Sequence, residues 1–167
     1  MSRRYATGVF TAIIIVAGIL FLPFITALEI SDFKTRQRLM LVGMKSGEEF
    51  TISFIHSVNR RPVYDTLRVE NDHLVIVRSR YDSFGAGMPE SSTGEGTLKV
   101  AKDGWIEWTV NRSVPDVTVR VGWIAEHTLH VKDRKIRLAE LAEPGKAITM
   151  RAINVSLIDY LKGRSFK

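Results

Sequence analysis

Residues 49–71, "EFTISFIHSVNRRPVYDTLRVEN", contain two segments in which apolar and polar side chains alternate. Alternation with a period of two is typical of β-strands, because successive side chains point to opposite faces of a sheet. Residues 49–56 and residues 62–71 are therefore predicted to form two neighbouring strands, and the intervening residues form the loop that joins them.

The same alternation continues on both sides of this stretch. Eight further short segments between residues 38 and 155 carry it, with turn residues such as "KSGE", "KDG" and "KDR" between several of them. About ten short strands with little helix predict an all-β domain, either sandwich-like or a partly open barrel. This β-domain is expected to occupy residues 39–167.

The amino-terminal part of the chain is strongly apolar. Between Arg4 and Glu29, 24 consecutive residues carry no charge. As a helix they would extend about 36 Å, enough to cross a hydrocarbon core of about 30 Å. Residues 1–28 therefore predict one transmembrane helix or a signal segment, and residues 29–38 a short polar stalk.

The charges beside this apolar run predict its orientation. Arg3 and Arg4 precede the run, which places the amino terminus in the cytoplasm and the β-domain outside the inner membrane. Cleavage after Ala27, with Ile25 at the −3 position, would instead release a periplasmic protein. The length of the run and the size of the Ile25 side chain favour an uncleaved anchor.

Composition excludes several classes of function. The chain has no cysteine, which rules out disulfides, thiolate metal sites and a cysteine nucleophile. Its net charge of +6 is spread along the sequence instead of being clustered, so nucleic acid is not an expected partner. The four histidines lack the spacing of a metal site. No metal and no cofactor is therefore predicted.

The loop between the two strands carries chemically active side chains. Alternation places His56 and Asp65 on the inner faces of adjacent strands, and Ser57 on the opposite face of its strand. This arrangement predicts a His56–Asp65 pair, and three roles for it stay open. The pair fixes the loop, contacts a ligand, or takes part in hydrolysis with His56 as the base.

A second unusual segment is "SFGAGMPE", residues 83–90. Gly85 and Gly87 permit a positive φ angle and a close backbone approach, and Pro89 stiffens the exit from the loop. Such a loop presents backbone N–H groups to an anion, or it is a corner where only glycine fits. The sequence leaves both roles open.

These two motifs resemble those of the domain of unknown function 1850 family. The residues that carry the resemblance are His56, Ser57 and Val58, then Pro62 and Val63 with Asp65, and finally Gly85, Ala86, Gly87 and Pro89. Asn59 stands where the family pattern has a glutamate. The resemblance extends over roughly residues 43–150, nearly the whole predicted β-domain.

The resemblance implies a context but no established activity. Members are small exported or membrane-anchored proteins, commonly encoded beside TAXI-type TRAP transporters, which take up carboxylate-type solutes with the help of an extracytoplasmic receptor. The chain is therefore expected to be a non-catalytic accessory or interaction subunit whose partners are the membrane and the transporter's membrane subunits or solute receptor. The alternatives are a periplasmic protein that binds a small acidic ligand, and a hydrolase that uses His56.

The expected binding region is the rim formed by the two motif loops. No catalytic residue is assigned. The candidate ligand or partner residues are His56, Ser57, Arg61, Asp65, Gly85, Ala86, Gly87 and Pro89.

Overall fold

The computed structural model describes residues 8, 10, 11, 14, 15, 18 and 20–163. Thirteen of the 28 residues predicted as a membrane anchor or signal segment therefore lie outside the described residues. Within the described part, no helix has the length and apolar character needed to cross a membrane.

The described chain from residue 25 onward is built mainly of β-strands. In chain order they are β1 (Ile25–Asp32), β2 (Arg38–Gly43), β3 (Glu49–Ile55), β4 (Pro62–Glu70), β5 (His73–Tyr81), β6 (Thr97–Val100), β7 (Ile106–Val114), β8 (Val117–Arg120), β9 (Thr128–Val131), β10 (Arg134–Arg137) and β11 (Ala147–Val155). A single 3₁₀ turn, Leu138–Glu140, follows β10, and one short helix, α1 (Leu157–Gly163), follows β11.

The strands form two antiparallel sheets that pack face to face as a sandwich. One has seven strands in the order β10-β9-β3-β4-β5-β7-β6, and the other has four in the order β2-β1-β11-β8. All ten predicted strands are present. Because no strand is shared by the two sheets, the sandwich is confirmed over the partly open barrel.

The core lies between the two sheets, and the alternating residues of the opening stretch contribute to it. Phe50 and Ile52 on β3 are buried beside Leu67 and Val69 on β4. From the opposite sheet, Leu28, Ile30, Ile148 and Met150 pack into the same cluster. Alternation thus assigns each strand its inner face, as predicted.

The polar stalk predicted for residues 29–38 is wrong. Ile25–Asp32 form an interior strand, paired with β2 on one side and β11 on the other. Glu29 is buried, and its carboxylate accepts hydrogen bonds from Arg38 at 2.8 Å and from Arg151 at 2.6 Å. A glutamate read as polar and exposed is therefore neutralised inside the domain, and the fold begins at Ile25 instead of residue 39.

The two ends of the sandwich carry different parts of the sequence. The end formed by residues 56–61, 82–96 and 121–127 is called the motif end here, because both motif loops lie there. Tyr81 pairs with Val63, which brings the second loop beside the first. Ser53 pairs with Thr128, which brings the third loop to the same end.

The chain enters the sandwich at the opposite end, called the entry end. Phe24 lines a surface pocket together with Ser46, in the β2–β3 loop, and Lys132, in the β9–β10 turn. Both of these turns are at the far end of their strands from the motif loops. Strand β3 has seven residues, and at about 3.3 Å per residue the two ends are separated by about 20 Å.

Candidate functional site

The first motif loop, residues 56–61, is folded by its own backbone and by Asn59. The N–H of His56 donates to the carbonyl of Arg61 at 2.9 Å, and the N–H of Arg60 donates to the carbonyl of His56 at 3.0 Å. Arg60 has a φ of 58°, in the left-handed region that makes the tight turn possible. Asn59 Oδ1 accepts the N–H of Arg61 at 3.1 Å. The loop is therefore a closed turn.

The second motif loop is bound directly to the first. Asn59 Nδ2 donates to the carbonyls of Ser83 at 3.4 Å and Phe84 at 3.3 Å. Arg61 forms a two-point ion pair with Asp82, in which Nε lies 3.0 Å from Oδ1 and Nη2 contacts Oδ2. This ion pair raises the pKa of Arg61. Residues far apart in sequence thus form one surface.

Gly85 and Gly87 of the second loop are each required for a different structural reason. A Cβ atom added at Gly85 would lie 2.7 Å from Asn59 Nδ2 and 3.4 Å from His56 Cε1, so a side chain there would push the loops apart. Gly87 has a φ of 83°, which L-amino acids other than glycine rarely adopt. The hydroxyl of buried Tyr81 donates to the carbonyl of Pro89 at 2.6 Å and fixes the loop exit. Gly85 therefore stands at a corner of the chain where only glycine fits.

The predicted His56–Asp65 pair does not form. Asp65 lies opposite Ile52 in the β3–β4 register, whereas the pairing needed it opposite Phe54. Its carboxylate accepts the hydroxyl of Ser79 at 2.5 Å, and His56 Nδ1 accepts the N–H of Val58 at 3.3 Å. A shift of two residues in register, which alternation alone does not detect, separates the two side chains.

A cavity of about 430 Å³ extends from the motif end into the space between the two sheets. Its walls are mostly apolar, and the second motif loop contributes Gly87, Met88 and Pro89. The remaining apolar wall residues come from five strands and are Ile52, Phe54, Val63, Leu67, Ile76, Trp108, Val110, Val117 and Val119. A cavity of this size and composition is typical of small-molecule sites.

Four ionisable groups also line the cavity. Asp65 lies on its inner wall, and burial raises the pKa of this carboxyl while the Ser79 hydrogen bond partly opposes that shift. His127 stacks near Phe54 with 5.5 Å between ring centroids, and burial lowers its pKa. Glu95 and Arg112 are exposed, so they line the cavity where it meets solvent.

Exposed apolar side chains surround the motif end. Trp123 is 80% exposed, Val58 66%, Ile124 61% and Phe84 46%. They lie on three neighbouring loops, since the N–H of Ile55 donates to the carbonyl of Ala125 at 2.8 Å. Large exposed apolar groups gathered at one end of a domain are typical of a contact surface. This group is called the apolar rim below.

Comparison with known proteins identifies the family. The model of the family described as "Domain of unknown function (DUF1850)" matches residues 50–138. The chain belongs to this family. No curated protein and no solved structure shows significant similarity to it. The match covers both motif loops and all the residues that line the cavity, so the region just described lies within the DUF1850 part of this chain.

The predicted site residues divide into two groups in this DUF1850 domain. His56, Arg61, Gly85 and Ala86 belong to the joined motif loops, and Ser57 is exposed on the first of them. Gly87 and Pro89 line the cavity, as does Asp65. No cluster of three or more metal-binding side chains occurs among the described residues.

Sequence reasoning missed four contributors. Asn59 and Asp82 join the two loops, but nothing in their local pattern indicates partners more than 20 residues away. Trp123 and Ile124 lie in the loop that follows β8, which ends at Arg120. The apolar side chains of this segment do not distinguish an exposed loop from the end of a strand, and only Gly122 indicates an earlier end.

Burial of Asp65 has a consequence for the pH dependence of stability. Because the pKa of Asp65 is raised in the folded state, the native protein binds the proton at pH values where the unfolded chain has lost it. The stabilising contribution is complete below the unfolded pKa and is lost as the pH rises through the folded pKa. Asp65→Asn is therefore expected to increase the free energy of unfolding at pH 8, by on the order of 1 kcal/mol, with little difference at pH 4.

Urea unfolding at several pH values measures this difference. Asp133→Asn removes an exposed carboxylate in the β9–β10 turn and gives the baseline for losing one negative charge. Equal pH profiles for the parent and Asp65→Asn would contradict the assigned burial of the carboxyl.

Proposed function

We propose that this DUF1850 protein is a non-catalytic accessory subunit of a TAXI-type TRAP transport system and that it binds its partner through the motif end. One observation carries the proposal. The two motif loops are joined by Asn59 and by the Arg61–Asp82 ion pair, and together with the 121–127 loop they present the apolar rim to solvent. A pre-organised surface with exposed aromatic and aliphatic side chains is what a docking site requires.

The arrangement of the polar groups favours binding over hydrolysis. His56 uses Nδ1 to accept a backbone N–H within its own loop. Asp65 is bonded to Ser79, so His56 receives no orienting carboxylate from it. A hydrolytic site needs a base that is held by a third group and aimed at a nucleophile. Among the residues that the structure describes, none holds the His56 ring in this way, so the hydrolase alternative is not the function proposed.

The amino-terminal segment supports attachment to the membrane. Because β1 begins at Ile25, the charge-free run available for an anchor ends at Phe24. Residues 22–24 are not helical, and the 17 residues from Tyr5 to Phe21 would extend about 25 Å as a helix, at the lower end of the lengths that cross a hydrocarbon core. Cleavage after Ala27 would remove the first three residues of an interior strand, and Ala27 is fully buried. Both points favour an uncleaved anchor, with the domain held at the outer face of the inner membrane.

The position of the anchor also favours one partner over another. The chain enters the domain at the entry end, so the motif end faces away from the membrane. An apolar rim in that position is suited to an extracytoplasmic protein. Between the two partners expected from the sequence, the transporter's solute receptor therefore fits better than its membrane subunits.

Purification from solubilised native membranes tests this role. The full-length protein is expected to recover the TRAP solute receptor, and Trp123→Ser is expected to recover at least about tenfold less, because hot-spot aromatic residues typically contribute 2 kcal/mol or more. Leu161→Ser, which changes a side chain that is 57% exposed on α1, is the matched control. Equal recovery by the two variants would contradict docking through the apolar rim.

A second function is favoured by the cavity itself. An apolar space of about 430 Å³ beneath the second motif loop is large enough for a small organic molecule. The protein is then also a small-ligand binder, and the ligand lies directly beneath the surface that meets the partner. Such an arrangement lets ligand occupancy change the shape of the docking loops.

A further inference from the structure

The inner wall of the cavity carries one carboxyl group that has no basic partner. Asp65 lies on β4 between Val63 and Leu67, both of which are buried. Its Oδ1 accepts the hydroxyl of Ser79 at 2.5 Å. Among the described residues, no arginine, lysine or histidine contributes to its pKa, which depends on burial and on Ser79 alone.

The second carboxyl oxygen is available inside the cavity. Oδ2 of Asp65 makes no hydrogen bond within the described part of the chain. It nevertheless keeps some access to solvent. Because Asp65 lines the cavity, this unbonded oxygen is the one left to contact a ligand there. A carboxylate in an apolar surrounding gains most from a partner that supplies a positive charge and a hydrogen bond together.

We propose that the cavity binds an apolar molecule that ends in a protonated amine, with the ammonium group bonded to Asp65 Oδ2 and the apolar body against Phe54, Met88 and Val119. The inference rests on the proposal that the cavity is a ligand site. It reverses the charge of the ligand expected from the sequence, which was a small acid. A carboxylate in the same position would place two negative groups side by side in a medium of low dielectric constant.

The cavity wall explains why the amine goes to Asp65 and not to the entrance. Glu95 and Arg112 also line the cavity, but both are exposed to solvent. Charges in water are screened and contribute little to affinity, whereas a desolvated ion pair is strongly directional. His127 is the remaining titratable group in the wall, and burial lowers its pKa, which favours the neutral ring. The carboxyl of Asp65 is therefore the group that selects the ligand.

Three isosteric probes test the inference with the full-length protein in lipid nanodiscs. 4-Phenylbutylamine, 4-phenylbutanol and 4-phenylbutanoate share one apolar body and differ in the charge of the end group. Titration calorimetry is expected to give the tightest binding for the amine, about tenfold tighter than the alcohol, because charge-assisted hydrogen bonds are about twice as strong as neutral ones. The carboxylate is expected to bind most weakly.

Two variants locate the selectivity. Asp65→Asn keeps the shape of the side chain and is expected to abolish the preference for the amine over the alcohol. Glu95→Gln removes the exposed carboxylate at the entrance and is expected to leave the preference unchanged. Circular dichroism confirms that both variants are folded.

The outcomes separate this inference from the function on which it rests. Tighter binding of the carboxylate, or an amine preference that survives in Asp65→Asn, would overturn the inference but leave the cavity as a ligand site. Failure of all three probes to bind would overturn both the ligand site and the inference. Loss of the amine preference in Glu95→Gln would assign recognition to the entrance and also overturn the role of Asp65.

Discussion

A chain shortened to residues 39–167 is expected not to fold, whereas a chain that begins at residue 23 is expected to unfold cooperatively as a β-protein. The shorter chain lacks β1, which pairs with both β2 and β11. It loses Leu28 and Ile30, both fully buried in the main core. Burying each such side chain contributes about 1.5–3 kcal/mol, and the lost ladder adds to this, against a total stability of about 5–15 kcal/mol.

Point substitutions measure the same contribution without removing the strand. Leu28→Ala is expected to lower the free energy of unfolding by about 3–4 kcal/mol, within the usual range for a buried leucine. Phe33→Ala, in the turn after β1, changes a side chain that is 48% exposed and is expected to cost less than 1 kcal/mol. Circular dichroism and urea unfolding give both values. A folded 39–167 chain would show that β1 is dispensable and would support the original prediction that residues 29–38 form a stalk outside the domain.

Val119→Phe is expected to weaken binding of small molecules to the cavity strongly. Val119 projects from β8 and lines the cavity on the side opposite Asp65's sheet. A phenyl ring there occupies space that a ligand needs, so affinity for whichever phenylbutyl probe binds the parent best is expected to fall at least about tenfold. Overpacking usually costs 1–3 kcal/mol, but a ring that enters an existing cavity avoids most of that strain.

The control for this substitution is Val100→Phe. Val100 is 68% exposed on β6 and does not line the cavity, so the same change of side chain is expected to leave probe affinity unaltered. Thermal unfolding shows whether both variants retain the fold. Undiminished binding by a folded Val119→Phe protein would place the ligand elsewhere.

Periodicity predicted most of the fold because each strand has one buried face. The ten segments that alternate in polarity all form strands, and inner positions such as Ile52 and Leu67 are buried as expected. Strand β1 was missed because it is covered on both sides. Its residues 27–31 are all buried, including Glu29 and Ser31, so the sequence divided the strand: residues 25–28 read as the end of the apolar run, and residues 29–32 as part of an exposed polar stalk.

The candidate site was predicted by residue type and not by pairing. The sequence indicated the correct two loops, but contacts between them depend on strand register and on partners distant in the chain. Asp65 was expected to pair with His56. Because the strand register differs by two residues from the expected one, its carboxylate bonds to Ser79 instead. Asn59 supplies the hydrogen bonds that join the loops. The cavity depends on how the two sheets pack against each other, and this packing cannot be predicted from the local sequence pattern of any one strand.

The central claim is that this DUF1850 domain meets its partner through the motif end, on the side away from the membrane. Val58 is 66% exposed at the centre of the first motif loop, and Leu161 is 57% exposed on α1. Replacing each in turn by p-benzoylphenylalanine, in the full-length protein in native membranes, provides the most direct test. Irradiation is expected to link position 58, but not position 161, to the TRAP solute receptor identified by mass spectrometry. Adducts with transporter components from position 161 and none from position 58 would contradict the account.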